Sequence, residues 1–201
     1  MKFSPIIYLI GMLLCILSLF MMIPAFVDWL YGNNDWPAFV GASLLTLFVG
    51  AILYLSNRDS TTEHLELRQA FLLTNSAWIS IALFGSLPFL LSEIDMSFTD
   101  AIFESTSGIT TTGATVIINL EATSHGILIW RALLQWLGGV GIIVMALAVL
   151  PMLSIGGMQL FKTESYETPD KVVPKAASFA AGISIVSVSY THLTLPTIPQ
   201  V

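Results

Sequence analysis

The residues of this chain that could do chemistry include a run of three threonines and a glycine, Thr110-Thr111-Thr112-Gly113. The groups that this run can line up along one path are its backbone carbonyl oxygens. Consecutive threonines favour extended backbone, and Gly113 has the φ freedom that lets neighbouring carbonyls face one path. A ring of such carbonyls replaces the hydration shell of a dehydrated monovalent cation. Alone the pattern is weak evidence, because β-turns of soluble proteins often contain it.

The segment before the threonines predicts a half-length helix. Ser97 or Thr99 can cap its start, and Asp100 lies at the spacing of a capping box. Its apolar part is much shorter than the 20 or so residues that cross a bilayer. We expect the helix to end near Gly108, a glycine that can release the chain, so that the negative end of the helix dipole is directed at a bound cation. Irregular backbone at membrane depth must be buried in protein or line a water-filled cavity. The segment therefore predicts a re-entrant pore helix and a selectivity-filter loop.

The composition is that of a membrane protein. The 201 residues are 55% hydrophobic and 10% charged, and the formal net charge of -6 argues weakly against nucleic-acid binding. Continuous apolar runs predict four spans, at about 5–26, 37–55, 70–91 and 126–153, and a fifth candidate begins near residue 176. The first run is longer than a signal-peptide core, so we interpret it as an uncleaved anchor. The predicted fold class is an all-α membrane protein whose transmembrane helices flank a re-entrant pore helix.

The basic residues predict the orientation. Lysine and arginine fall before span one, between spans two and three, and after span four, at Lys2, Arg58, Arg68, Lys162, Lys171 and Lys175. By the positive-inside rule the N-terminus is cytoplasmic and the pore loop opens to the outside. The intervening loops are acidic, with Asp28, Asp35, Glu93, Asp95, Asp100, Glu104 and Glu121. Together these acids would concentrate cations at the mouth. Each one separately is more simply explained as a solvated loop residue.

Span four carries two polar candidates, Arg131 and Gln135, one helical turn apart. A guanidinium at membrane depth is costly unless it is paired or faces the bundle interior, so it is a functional candidate. The equally weighted alternative is that Arg131 reaches the interface, with Glu104 or Glu121 as its partner. The nearby glycines 138, 139 and 141 predict close helix packing. No nucleophile–base pair or zinc-ligand spacing stands out, so neither an enzyme nor a resident cofactor is expected.

Three motifs in this order resemble one known family. They are Phe103–Thr115 with its Glu-Ser-Thr-Ser-Gly-Ile-Thr-Thr-Thr-Gly core, Trp130–Gly141 with Arg-Ala-Leu-Leu-Gln-Trp-Leu-Gly-Gly, and Ile155–Phe161 with Gly-Gly-Met-Gln. They are similar to the membrane subunit of the bacterial Trk potassium-uptake system, the TrkH/TrkG-like branch of the Trk/Ktr/HKT superfamily. The resemblance covers roughly residues 1–186.

The resemblance implies a fold, an ion and partners. Four helix–pore loop–helix units would follow two extra N-terminal helices, giving 1–68 as the extra helices, 69–161 as the first unit and 162–186 as a cytoplasmic loop with the start of the next helix. The filter would comprise Thr110, Thr111, Thr112 and Gly113, with potassium held most directly at Thr111 and Thr112 and with Glu104, Arg131 and Gln135 as pore supports. The resemblance further implies the bacterial inner membrane, a cytoplasmic nucleotide-binding regulatory ring and a homodimer mate. Transport would be passive or coupled to a second ion.

Two features depart from the family pattern. Only one Thr-Thr-Gly loop is present, and residues 187–201, with Pro196 and Pro199, no longer look like the family. We therefore expect the front part of a longer protein with an out-of-family tail. Two alternatives remain open: a short tetrameric cation-channel subunit, or a membrane anchor or assembly protein that does not transport.

Overall fold

The structure is a computed structural model that describes residues 3–58, 67–118, 120, 123–149, 182 and 185–186. The chain divides into two compact units, 1–139 and 140–201. Among the described residues the regular elements are six helices: α1 (Ser4–Tyr31), α2 (Trp36–Ser56), α3 (Leu67–Gly85), α4 (Leu87–Leu91), α5 (Phe98–Ile109) and α6 (His125–Val149). The third family motif, the predicted start of a fifth span, and the tail from residue 187 lie outside the described residues.

Among the described residues, four helical segments are long and apolar enough to cross a membrane: Ser4–Tyr31, Trp36–Ser56, Arg68–Leu91 and His125–Ile143. They overlap the four spans predicted from apolar runs, and the end of the predicted fourth span, up to residue 153, lies outside the described residues. The fifth helical element, α5, has 12 residues and lies between the third and fourth spans in the chain. The predicted fold class, an all-helical membrane protein with a half-length helix between two spans, is confirmed.

Helices α1 and α2 form a hairpin in close contact. Gly32 ends α1 with a φ of 72°, a conformation that costs glycine little. Further along the pair, a β-carbon on Gly11 would lie 2.8 Å from the Gly50 carbonyl oxygen, and one on Gly50 would lie 3.0 Å from that of Gly11. The two backbones therefore touch where both residues lack a side chain, as is usual for helices packing in lipid.

The third span is broken near its end. Helix α3 stops at Gly85 and α4 starts at Leu87, with Pro88 in its first turn. Proline lacks the amide hydrogen that would continue the helical ladder, so the break follows from the sequence. The indole nitrogen of the fully buried Trp130 donates to the Gly85 carbonyl oxygen at 2.9 Å. This bond ties α6 to the break in the third span.

Candidate functional site: the pore loop

The Ser97 side chain caps the N-terminus of α5 and makes two hydrogen bonds to Asp100. The Ser97 hydroxyl accepts from the backbone amide of Asp100 at 3.2 Å, and it donates to the Asp100 carboxylate at 2.6 Å. The aspartate also lies in the first turn, where a negative charge is favourable. Of the two caps that the sequence offered, the structure therefore uses Ser97.

The C-terminus of α5 lies near Gly108, as the sequence predicted, but the chain leaves the helix in a different way. The helix continues through Gly108 to Ile109. The amide of Thr112 donates to the Ser107 carbonyl at 3.0 Å, and that of Thr111 donates to the Gly108 carbonyl at 2.9 Å. These two bonds make a Schellman motif, in which the left-handed residue is usually glycine. Here that residue is Thr111, with a φ of 58°.

Two expectations were therefore wrong. Gly108 does not release the chain; its lack of a side chain serves packing, because a β-carbon there would lie 3.0 Å from Cβ of Leu134. The three threonines are not uniformly extended either, because Thr110 caps the helix at φ -80° and ψ 1° and Thr111 is left-handed. The hydrogen bonds of the helix end override the β preference of threonine. A left-handed β-branched residue is an unusual, strained conformation that clusters at functional sites.

Gly113 has the conformation predicted for it, with a φ of 76°. Residues 110–116 are all exposed. Among the described residues, none donates a hydrogen bond to the carbonyl oxygens of residues 110–113. Four consecutive backbone acceptors in this exposed segment are therefore left without a donor from the described part of the chain.

After Gly113 the chain runs back along α5, opposite in direction to the helix. The Ser107 hydroxyl donates to the Ala114 carbonyl oxygen at 2.6 Å, and the amide of Val116 donates to Oε2 of Glu104 at 3.0 Å. The two helix residues are one turn apart, and their two partners are two residues apart in an irregular segment. One face of the pore helix therefore holds the returning segment, residues 114–116, at two points.

Glu104, which binds this returning segment, also forms an ion pair with Arg131. Oε1 of Glu104 lies 2.6 Å from Nε of Arg131, and the side chains are 0% and 12% exposed, respectively. The structure pairs Arg131 with Glu104, which both readings of Arg131 allowed. The other suggested partner, Glu121, lies outside the described residues. The Glu104 carboxylate therefore links the pore helix, the returning segment and α6.

Helix α6 also approaches the threonine turn directly. A β-carbon on Gly113 would lie 3.8 Å from Nε2 of Gln135. One on Gly138 would lie 2.7 Å from the carbonyl carbon of Ile109 and would overlap its oxygen. The close packing predicted for the glycines of this helix is thus found at Gly138, whereas a β-carbon on Gly139 or Gly141 would have no neighbour within 4 Å in the described part of the chain. The structure brings all the predicted filter and support residues into one region.

Two buried carboxylates, Asp28 in the last turn of α1 and Asp35 just before α2, were not predicted as structural residues. Oδ1 of Asp28 accepts from the amide of Gly126 at 2.6 Å, at the start of α6. Oδ1 of Asp35 accepts from the amide of Glu93 at 2.8 Å, just beyond α4. Both acids are buried, so the reading of each as a solvated loop residue was wrong, as it was for Glu104.

These two bonds attach the α1–α2 turn to both ends of the segment that contains the pore loop. A carboxylate at the N-terminus of α6 is also favoured by the helix dipole. One feature of the sequence could have indicated a structural role for these acids: each lies next to a helix end, Asp28 in the last turn of α1 and Asp35 just before α2. Nothing local in the sequence identifies their partners, which are 98 and 58 residues away.

The chain is similar to known transport proteins over most of its length. The TrkH family model, described as cation transport protein, matches residues 36–197. This range includes most of the segment after Ser187 that we expected to lie outside the family. The potassium uptake protein TrkI of Halomonas elongata is 39% identical over 192 residues, which cover 96% of this chain and 39% of that protein. TrkH of Vibrio parahaemolyticus is 42% identical over 194 residues, covering 95% and 40%.

A solved structure agrees with these sequence matches. The crystal structure of the potassium transporter TrkH from Vibrio parahaemolyticus superimposes with a TM-score of 0.79 at 38% identity, covering 92% of this chain and 37% of that one. The chain thus spans about two fifths of the length of the relatives it matches. Because the family model matches well over half of the chain, and the fold is the same, the chain belongs to the TrkH family of cation transport proteins.

Proposed function

We propose that the protein to which this chain contributes takes up potassium across the bacterial inner membrane through a filter of backbone carbonyls. The observation that carries the proposal is the run of open carbonyls at residues 110–113, at the C-terminal end of a capped half-length helix. The relatives named above are potassium uptake proteins. The proposed ion is therefore K⁺, held most directly by Thr111 and Thr112.

The pore helix contributes electrostatically as well as sterically. Its C-terminal end carries about half a negative charge, which falls next to the proposed ion path. The amides of Thr111 and Thr112 are turned back to the helix carbonyls, so they do not point at a cation. The left-handed Thr111 makes this possible because it lets the chain turn within one residue. The helix end and the filter are therefore one hydrogen-bonded unit.

A membrane potential can drive this uptake without chemistry in the chain. Moving one charge through 100 mV contributes about 2.3 kcal/mol, which concentrates a monovalent cation roughly fiftyfold. We propose a cytoplasmic N-terminus, which places the pore loop at the outer face. In this arrangement residues 1–68 are two additional helices and residues 69–161 are the first pore unit. A regulatory nucleotide-binding ring, a homodimer mate and coupling to a second ion are further expectations of family membership.

Replacing Gly113 with serine tests the filter assignment. A side chain at a φ of 76° is strained, so we expect the carbonyls to shift and sodium to be admitted. The measurement is rubidium and sodium uptake in potassium-depleted cells that express the complete protein and lack other uptake systems. Gly41→Ser is the matched control, because a β-carbon on Gly41 in α2 has no neighbour within 4 Å. Wild-type selectivity in Gly113→Ser at normal membrane levels would remove Gly113 from the filter.

A further inference from the structure

Ser107 lies within the pore helix but is bonded to both sides of the filter turn. Its backbone carbonyl accepts from the amides of Thr112 at 3.0 Å and Gly113 at 3.4 Å. Its side-chain hydroxyl donates to the Ala114 carbonyl oxygen at 2.6 Å. The residue is 6% exposed, so water competes little for these bonds. A single serine thus holds the three residues that follow Thr111.

The hydroxyl bond separates Ala114 from the residues before it. The carbonyl oxygens of residues 110–113 receive no donor from the described part of the chain, whereas that of Ala114 is directed at the pore helix. A carbonyl that accepts a short hydrogen bond from a buried hydroxyl is turned away from the ion path. The open run of carbonyls therefore ends at Gly113 because Ser107 withdraws the next one.

We propose that Ser107 is a specificity-determining positioning residue, which ends the ion-binding carbonyl run at Gly113 and limits how closely that run can contract around an ion. The inference rests on the proposed potassium filter. Na⁺ is smaller than K⁺, so carbonyls must move inward to replace its water. With Gly113 held by the Ser107 carbonyl and Ala114 by the Ser107 hydroxyl, that movement is opposed at the end of the run.

Ser107→Ala in the complete protein removes the hydroxyl and leaves the backbone bonds in place. We expect the ratio of sodium to rubidium uptake to rise about two- to tenfold, the range that one hydrogen bond can supply. Ser105→Ala is the matched control. Ser105 is on the same helix and fully buried, but its hydroxyl has no hydrogen-bond partner among the described residues and lies against Gly85 instead of the filter.

A purely structural role for Ser107 would lower protein level or total uptake without changing the ratio. Ser107→Thr keeps a hydroxyl and should retain the wild-type ratio. If Ser107→Ala does not accumulate in the membrane, Ser107→Cys, a weak donor of similar size, replaces it and should raise the ratio. An unchanged ratio in the variant that accumulates, or an equal change in Ser105→Ala, overturns the inference.

The Gly113→Ser variant, measured in the same cells, separates this inference from the proposed function. If Gly113→Ser loses selectivity and Ser107→Ala does not, only the assignment of Ser107 fails. If neither Gly113→Ser nor Ser107→Ala changes the ratio, the carbonyl filter itself is misplaced.

Discussion

Removing one member of the Glu104–Arg131 ion pair should affect the protein very differently depending on which member is removed. The Glu104 side chain is 0% exposed and the Arg131 side chain is 12% exposed. Arg131→Met leaves a buried carboxylate without its counter-ion, a loss of about 3–5 kcal/mol in the free energy of unfolding. Glu104→Gln keeps an oxygen that can accept from the amide of Val116, and the guanidinium that it leaves without a counter-ion is the more exposed of the two groups. We therefore expect a smaller loss, about 1–3 kcal/mol.

The double variant, Glu104→Gln with Arg131→Met, decides whether this reasoning holds. It contains no unpaired buried charge, so its loss should be about 1–3 kcal/mol less than the sum of the two single losses. The measurement is a denaturant titration of the complete protein in detergent micelles, followed by circular dichroism, with rubidium uptake measured in parallel. Additive losses, to within about 0.5 kcal/mol, or a larger loss for Glu104→Gln than for Arg131→Met, would refute the account of a buried pair.

Two further predictions concern topology and packing. After replacement of Cys15, a cysteine at position 34 should react with an impermeant thiol reagent in intact cells, and one at Ser60, which lies outside the described residues, should not; labelling at position 60 would reverse the proposed orientation. Gly138→Ala should lower stability by about 1–3 kcal/mol, because its β-carbon would overlap the Ile109 carbonyl oxygen. Gly139→Ala is its matched control, with no neighbour within 4 Å of the new β-carbon, and equal thermal stability of the two purified variants would contradict the close contact.

The spans and the half-length helix could be predicted because their signals are local. A bilayer requires about 20 apolar residues to satisfy the backbone internally, so apolar length identifies a spanning helix without any tertiary information. The cap of α5 is local too, since Ser97 and Asp100 are three residues apart. The need for φ freedom at Gly113 was predicted from residue type, and the structure uses it with a φ of 76°.

The end of the pore helix could not be predicted in the same way. The sequence offered Gly108 as the point of release and three threonines as extended backbone. In the structure Gly108 packs against Leu134, and the left-handed position falls on Thr111. The reason is that α6 requires a residue without a side chain at position 108, which fixes Gly108 within the helix. The strain of the turn then falls on a threonine.

By itself, the sequence determined a helical membrane protein, a capped half-length helix, and the threonine–glycine turn for which we propose cation binding. Only the tertiary structure decided that Glu104 pairs with Arg131, that Asp28 and Asp35 bond to the two ends of the pore segment, and that the Ser107 hydroxyl donates to the Ala114 carbonyl. The first set depends on residue type and on spacing within a few residues. Most contacts in the second set join groups far apart in the chain. These groups pair only in the folded protein, because burial makes an unpaired charge or polar atom costly.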